Sequence, residues 1–209
     1  MFDAYYKASA PASLDISLIE YPSAFNDTTF ISPASESLKF SNHMWGQIIE
    51  TVENHDGQIL ISTGVDFQFF DDIVPELGNL MLDKDMLAVD DVGCTCPDFM
   101  VIRCSKTVAN YFRDVVSWIN VPDSDNDSIQ MTGRPVPFRF AKLPKTYWTI
   151  GWNTSKKEPI QVPDAIKVHH ANWVVGFNAK METLAYVRKL CAEKGIKWAS
   201  EKVGVSEPE

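Results

Sequence analysis

The chain has 209 residues, 45% of them hydrophobic, enough for a substantial core in one large domain or two small ones. Acidic residues outnumber basic ones 28 to 19, a formal charge of −9, so nothing broad neutralises phosphates and general nucleic-acid binding is excluded. The opening "MFDAYYKASAPASLDISLIEYP" lacks a basic start followed by a long apolar run, and no stretch has the length of a membrane span, so a soluble, cytoplasmic protein is expected.

In chain order, residues 13–21 read as a strand and the Ser/Pro/Asn-rich residues 22–37 as a loop. A helix is predicted from Ser41, with Met44, Trp45, Ile48, Ile49 and Val52 at helical spacing, and "NHDG" ends it. "QILIST" is continuously apolar, as a strand covered on both faces of a parallel sheet would be. Short strands follow at 86–91 and 99–103, then a helix from Ser105 to about Ile119 that buries Val108, Tyr111, Phe112, Val115 and Ile119. The acidic, turn-rich loop "NVPDSDNDSIQMTGRP" leads to the aromatic stretch "KTYWTIGWNT", a strand "AIKVHHANWVV" and a last helix using Phe177, Met181, Leu184, Val187 and Cys191. The polar residues 201–209 resemble a linker to further domains of the same polypeptide. The predicted fold is α/β, one domain over 1–200, with a mixed, mostly parallel central sheet of about six strands flanked by helices. The cysteines at 94, 96, 104 and 191 offer a C-x-C pair but no C-x-x-C spacing, which suits reduced thiols better than structural zinc.

Three stretches carry residues able to do chemistry. In "GVDFQFFDD", Asp66 stands where an apolar strand becomes a loop, and ligands of open α/β sheets collect beyond the carboxyl ends of strands. A hard cation suits that carboxylate, although an isolated aspartate there is more often a solvated strand end; Asp71 and Asp72 read as caps of the next turn. In "KVHHANWVVGFNAK", strand alternation sets His170, Asn172 and Val174 on one face, so His170 and Asn172 can address one ligand. Beyond them Gly176 permits close backbone approach, Asn178 is the predicted helix N-cap, and Lys180 falls in the first helical turn. A cation there opposes the helix dipole at ~0.3–1 kcal/mol. A bound diphosphate would reverse the sign, and an exposed lysine tolerated by water is the plainer alternative. "DSDNDSIQ" is by itself a solvated acidic turn. Tyr147, Trp148 and Trp152 lie close together and could face a sugar acceptor, although packing in a late strand is the better reading.

Taken in order, these stretches resemble the signature of the nucleotide-diphospho-sugar transferases of GT-A fold, above all the glycogenin-like and related retaining branches and the members encoded by large algal viruses. The resemblance covers about residues 40–190. It implies a GT-A-like domain in which the D-x-D element, the holder of a divalent cation (Mn2+ or Mg2+), falls on Gly64, Val65 and Asp66, so that only the second acid is present. It further implies that His170 completes the metal site, that Asn172, Gly176 and Lys180 line the donor diphosphate, and that Asp125, Asn126 and Asp127 face the reacting sugar carbon. The implied activity moves a hexose or deoxyhexose, from a UDP-sugar by family habit, to a glycan or glycoprotein hydroxyl with retention. The implied setting is synthesis of a viral capsid-type glycan in the host cytoplasm. A nucleotide-sugar or carbohydrate binding module without turnover is the alternative that Gly64 raises, and a metal-dependent phosphohydrolase would need a nucleophile that is not evident.

Overall fold

The computed structural model describes residues 2–19, 34–92, 94–119, 136–154, 156–174 and 176–202. They form two compact units: the first comprises Met1–Leu18, Gly64–Leu77 and Pro144–Glu209, the second Ile19–Thr63 and Gly78–Leu143. Each has its own sheet.

In the second unit, strands β1 (Ile59–Thr63), β3 (Met86–Asp91), β4 (Cys94–Arg103) and β5 (Phe140–Lys142) form a sheet of order β1-β4-β3-β5. β4 runs antiparallel to β1 and β3, and β5 runs parallel to β3. Helices α2 (Ala34–Asn54) and α4 (Lys106–Ile119) supply the other side of the core. Val108, Tyr111, Phe112 and Val115 recur every three to four residues along α4, and all four pack with Trp45 and Val52 of α2 against Met86, Met100 and Ile102. The α4 reading from the sequence holds, and α2 begins earlier than its periodicity indicated. β1 differs from expectation: among the described residues it pairs only with β4, its first residue Ile59 is 45% exposed, and its apolar run belongs to an edge strand. Burial on both faces is found instead in β4, where Phe99, Met100, Val101 and Ile102 are all buried.

The first unit holds β2 (Phe67–Phe69), β6 (Tyr147–Thr149) and β7 (Val168–His170) in the order β2-β7-β6, with β7 antiparallel to β2 and parallel to β6. Every residue of these strands is buried. Around them lie α1 (Phe2–Ser9), α5 (Gly151–Thr154), α6 (Phe177–Glu193) and α7 (Ala199–Lys202), while α3 (Val74–Leu80) straddles the division of the chain. Phe70, Trp148, Ile150, Ile166, Val187 and Cys191 form the apolar centre.

The α/β class is thus observed, but the single mostly parallel sheet is replaced by two sheets in which antiparallel pairings predominate. A continuous apolar run marks a strand covered on two faces and says nothing of direction, which is why periodicity misled. The strand expected at 13–21 is irregular backbone through residue 19, and the one expected over 165–175 is cut to Val168–His170. Asp71 pairs with Lys202, and Asp72 accepts the Val74 N–H at the start of α3, as a turn cap should. Among the described residues no helix is long and apolar enough to cross a membrane.

Candidate functional site

The first unit's sheet brings the separated motifs together. Antiparallel pairing of β2 with β7 sets Phe67 opposite His170, and the Ala171 N–H donates to the Asp66 carbonyl at 3.0 Å, extending the ladder by one step. Asp66, just before β2, and His170, closing β7, therefore occupy the same end of the sheet. His170 Nε2 lies 3.4 Å from Asp66 Oδ1, long for a hydrogen bond and close enough for a strong electrostatic contact. The imidazole is stacked on Phe67 with ring centroids 4.0 Å apart, which fixes its plane.

Lys180, four residues beyond Gly176, donates from Nζ to Asp66 Oδ2. Burial alone would raise the Asp66 carboxyl, but His170 and Lys180 outweigh it and hold the group well below the usual carboxylate range. Asp66 is therefore an anion at any ordinary pH. It also compensates Lys180, whose position in the first turn of α6 opposes the helix dipole, so the counter-charge comes from within the chain. Gly176 begins α6 with φ 94, a left-handed value natural to glycine, and no side chain caps the helix. Asn178, the expected cap, is instead an exposed residue of the first turn.

Behind this cluster lies a polar layer that sequence reasoning missed. Trp198 Nε1, which can only donate, bonds Gln68 Oε1 at 3.1 Å, so the Gln68 amide nitrogen must face the other way. That nitrogen donates to the Leu184 carbonyl at 3.1 Å and to His169 Nδ1 at 2.9 Å. His169 is consequently a neutral ring with its proton on Nε2, and complete burial pushes its pKa down to about 3. A glutamine between two phenylalanines in a buried strand was the available signal, because such a group must find partners.

The remaining expectations divide. Asn172 is buried, but its Oδ1 accepts from the Thr149 hydroxyl and faces the Gly151 N–H at 3.4 Å, so that oxygen serves the start of α5 and not a ligand shared with His170. Tyr147 and Trp148 are core residues, 2% and 4% exposed, and the Tyr147 hydroxyl donates to Glu76 at 2.9 Å; their rings are not presented to an acceptor. The side chain of Trp152 and the whole of Asp125, Asn126 and Asp127 lie outside the described residues. Gly64 is half-buried and Val65 is 41% exposed in the link between β1 and β2.

A divalent cation fits part of this arrangement. Ligand distances of about 2.0–2.6 Å let one ion bridge a carboxylate oxygen and an imidazole nitrogen set as Asp66 Oδ1 and His170 Nε2 are. Lys180 on the second carboxylate oxygen counts against it, and Gly64 adds no ligand. No family model, no curated protein and no solved structure matches the chain.

Proposed function

We propose that the protein is a glycosyltransferase that takes a sugar from a nucleotide-diphosphate donor, UDP-linked, and passes it to a glycan or glycoprotein hydroxyl with retention. The observation that carries this is the convergence of Asp66, His170 and Lys180 beside the uncapped start of α6. An ammonium group and the N–H groups of a helix start that no side chain caps suit a diphosphate, and Gly176 lets its oxygens approach the backbone. Lys180 would release Asp66 and follow the negative charge that grows on the leaving diphosphate as the glycosidic bond breaks. A cation, Mn2+ or Mg2+, at Asp66 and His170 would supply further positive charge there. Asp125, Asn126 and Asp127 are proposed, on the resemblance alone, to face the sugar carbon. A GT-A-like domain working on a viral capsid-type glycan in the host cytoplasm belongs to the same proposal.

One observation favours a second assignment, a nucleotide-sugar or carbohydrate binding module without turnover. Both Asp66 oxygens already have partners inside the chain, and Gly64 provides no second acid to attract a metal. Release of UDP from a panel of UDP-sugars, with and without Mn2+, decides between the two. Mn2+-dependent turnover that disappears in Asp66→Asn is the expected result. Binding without turnover would leave the module, and neither binding nor turnover would reject both.

A further inference from the structure

Trp173 stands three residues beyond His170 with its backbone at φ 60, a left-handed value that bulky side chains rarely adopt, and the residue is 53% exposed. Glycine would take that turn with less strain, and more than half of the residue's surface lies in solvent. The β2–β7 ladder, extended by the Ala171–Asp66 bond, brings the Trp173 segment to the sheet end that carries Asp66. Val65, beside Asp66 in the chain, is 41% exposed. Apolar surface at the same end as a small set of buried charged groups is the composition of a small-molecule site.

We propose that the Trp173 indole is the stacking face for a ring joined to the diphosphate held by Lys180 and the start of α6. The inference rests on the diphosphate assignment above. The ring is either the nucleoside base on one side of the diphosphate or the sugar on the other, and both bind flat against an aromatic face. Backbone strain at Trp173 is then the cost of turning the indole outward, where a ligand and not the core can use it.

Calorimetric titration of the full chain with inorganic pyrophosphate, UDP and UDP-glucose, each with Mg2+, tests this. Trp173→Gly should weaken UDP-glucose binding roughly tenfold, the scale of one lost stacking contact. Pyrophosphate affinity should change less than about twofold and Tm should not fall, because glycine accepts the left-handed turn. Trp173→Phe should restore most of the affinity. A loss already present with UDP assigns the face to the base, and a loss confined to UDP-glucose assigns it to the sugar. Wild-type affinity for both ligands in Trp173→Gly would overturn the inference, as would an equal loss for all three. If the glycine variant does not fold, Trp173→Asn makes the same comparison, since asparagine tolerates this backbone region. UDP and UDP-glucose binding that is lost in Lys180→Ala but indifferent to Trp173 would leave the diphosphate assignment standing and remove only the stacking face. No binding of any of the three by the wild type would overturn both.

Discussion

The two units bury different things. The second packs two helices on its sheet with Trp45, Val52, Met100, Ile102, Val108 and Phe112 at the centre, and its buried polar residues among those described are Asp91 and Thr95. The first buries Ser9, Asp66, Gln68, Thr149, Asn153, His169, His170 and Asn172, most of them on or beside one three-stranded sheet. Burying an unpaired polar group costs about 1–3 kcal/mol, so such a concentration persists only where partners are arranged for most of the groups. The second unit therefore depends on shape, and the first on partners.

The largest effect should come from shape. Phe112→Ala removes a fully buried ring and should cost about 3–5 kcal/mol by urea unfolding, while Phe112→Leu should cost about 1.5 kcal/mol or less. Gln68→Leu is the matching test in the first unit: side-chain volume is roughly kept, yet Trp198, His169 and the Leu184 carbonyl lose their partner. A loss of about 2–4 kcal/mol is expected. If Gln68→Leu were as mild as Phe112→Leu, the contrast between the units would fail.

These tests also mark how far the sequence could be read. The α4 core was legible because its spacing is local, and β3 because its ends are marked by a change of composition. Asp66, His170 and Lys180 were legible as chemistry because each sits in a short stretch of unusual residues. Their meeting is long-range, with Asp66 and Lys180 114 residues apart, and it follows only from the β2–β7 pairing. Gln68 and Trp198 were not legible as partners, being 130 residues apart with no periodic signal between them. Strand direction was not legible because burial depends on coverage, and both kinds of sheet can be covered. Tyr147 and Trp148 were legible first as packing and second as a sugar face, because adjacent aromatics suit both, and their burial agrees with the packing.

A smaller effect sharpens the account of Asp66. In Lys180→Ala the carboxylate keeps His170 but loses its ammonium partner, so stability should fall by about 1–3 kcal/mol. The figure lies below that of a fully buried pair because the Lys180 side chain is 20% exposed. Mn2+ should bind more tightly to this variant than to the wild type when no nucleotide is present, since the competing positive charge has gone. Equal or weaker Mn2+ binding, measured by electron paramagnetic resonance of the free ion, would show that Asp66 is not a cation ligand.

The smallest effect is a pH slope. His169 has a folded pKa of about 3 against an ordinary 6.5, so below pH 6.5 the unfolded chain takes up a proton that the folded chain refuses. Stability should therefore be flat above that value and decline as pH falls towards 3, by at most ~1.4 kcal/mol per pH unit from this group. Asp66 acts in a separate window: its carboxyl is depressed in the folded state, so its contribution is complete above about 3.8 and is lost only below that. Between pH 6.5 and 4.5 the imidazole can thus be followed without the carboxylate. His169→Asn places an amide oxygen where Nδ1 accepts from Gln68 and removes the titration. Urea unfolding across that range should show a shallower slope in the variant than in the wild type, with similar stability at pH 7.5. Identical slopes would mean that His169 takes up its proton while folded, and the assignment of the Gln68 amide that makes it an acceptor would have to be reversed.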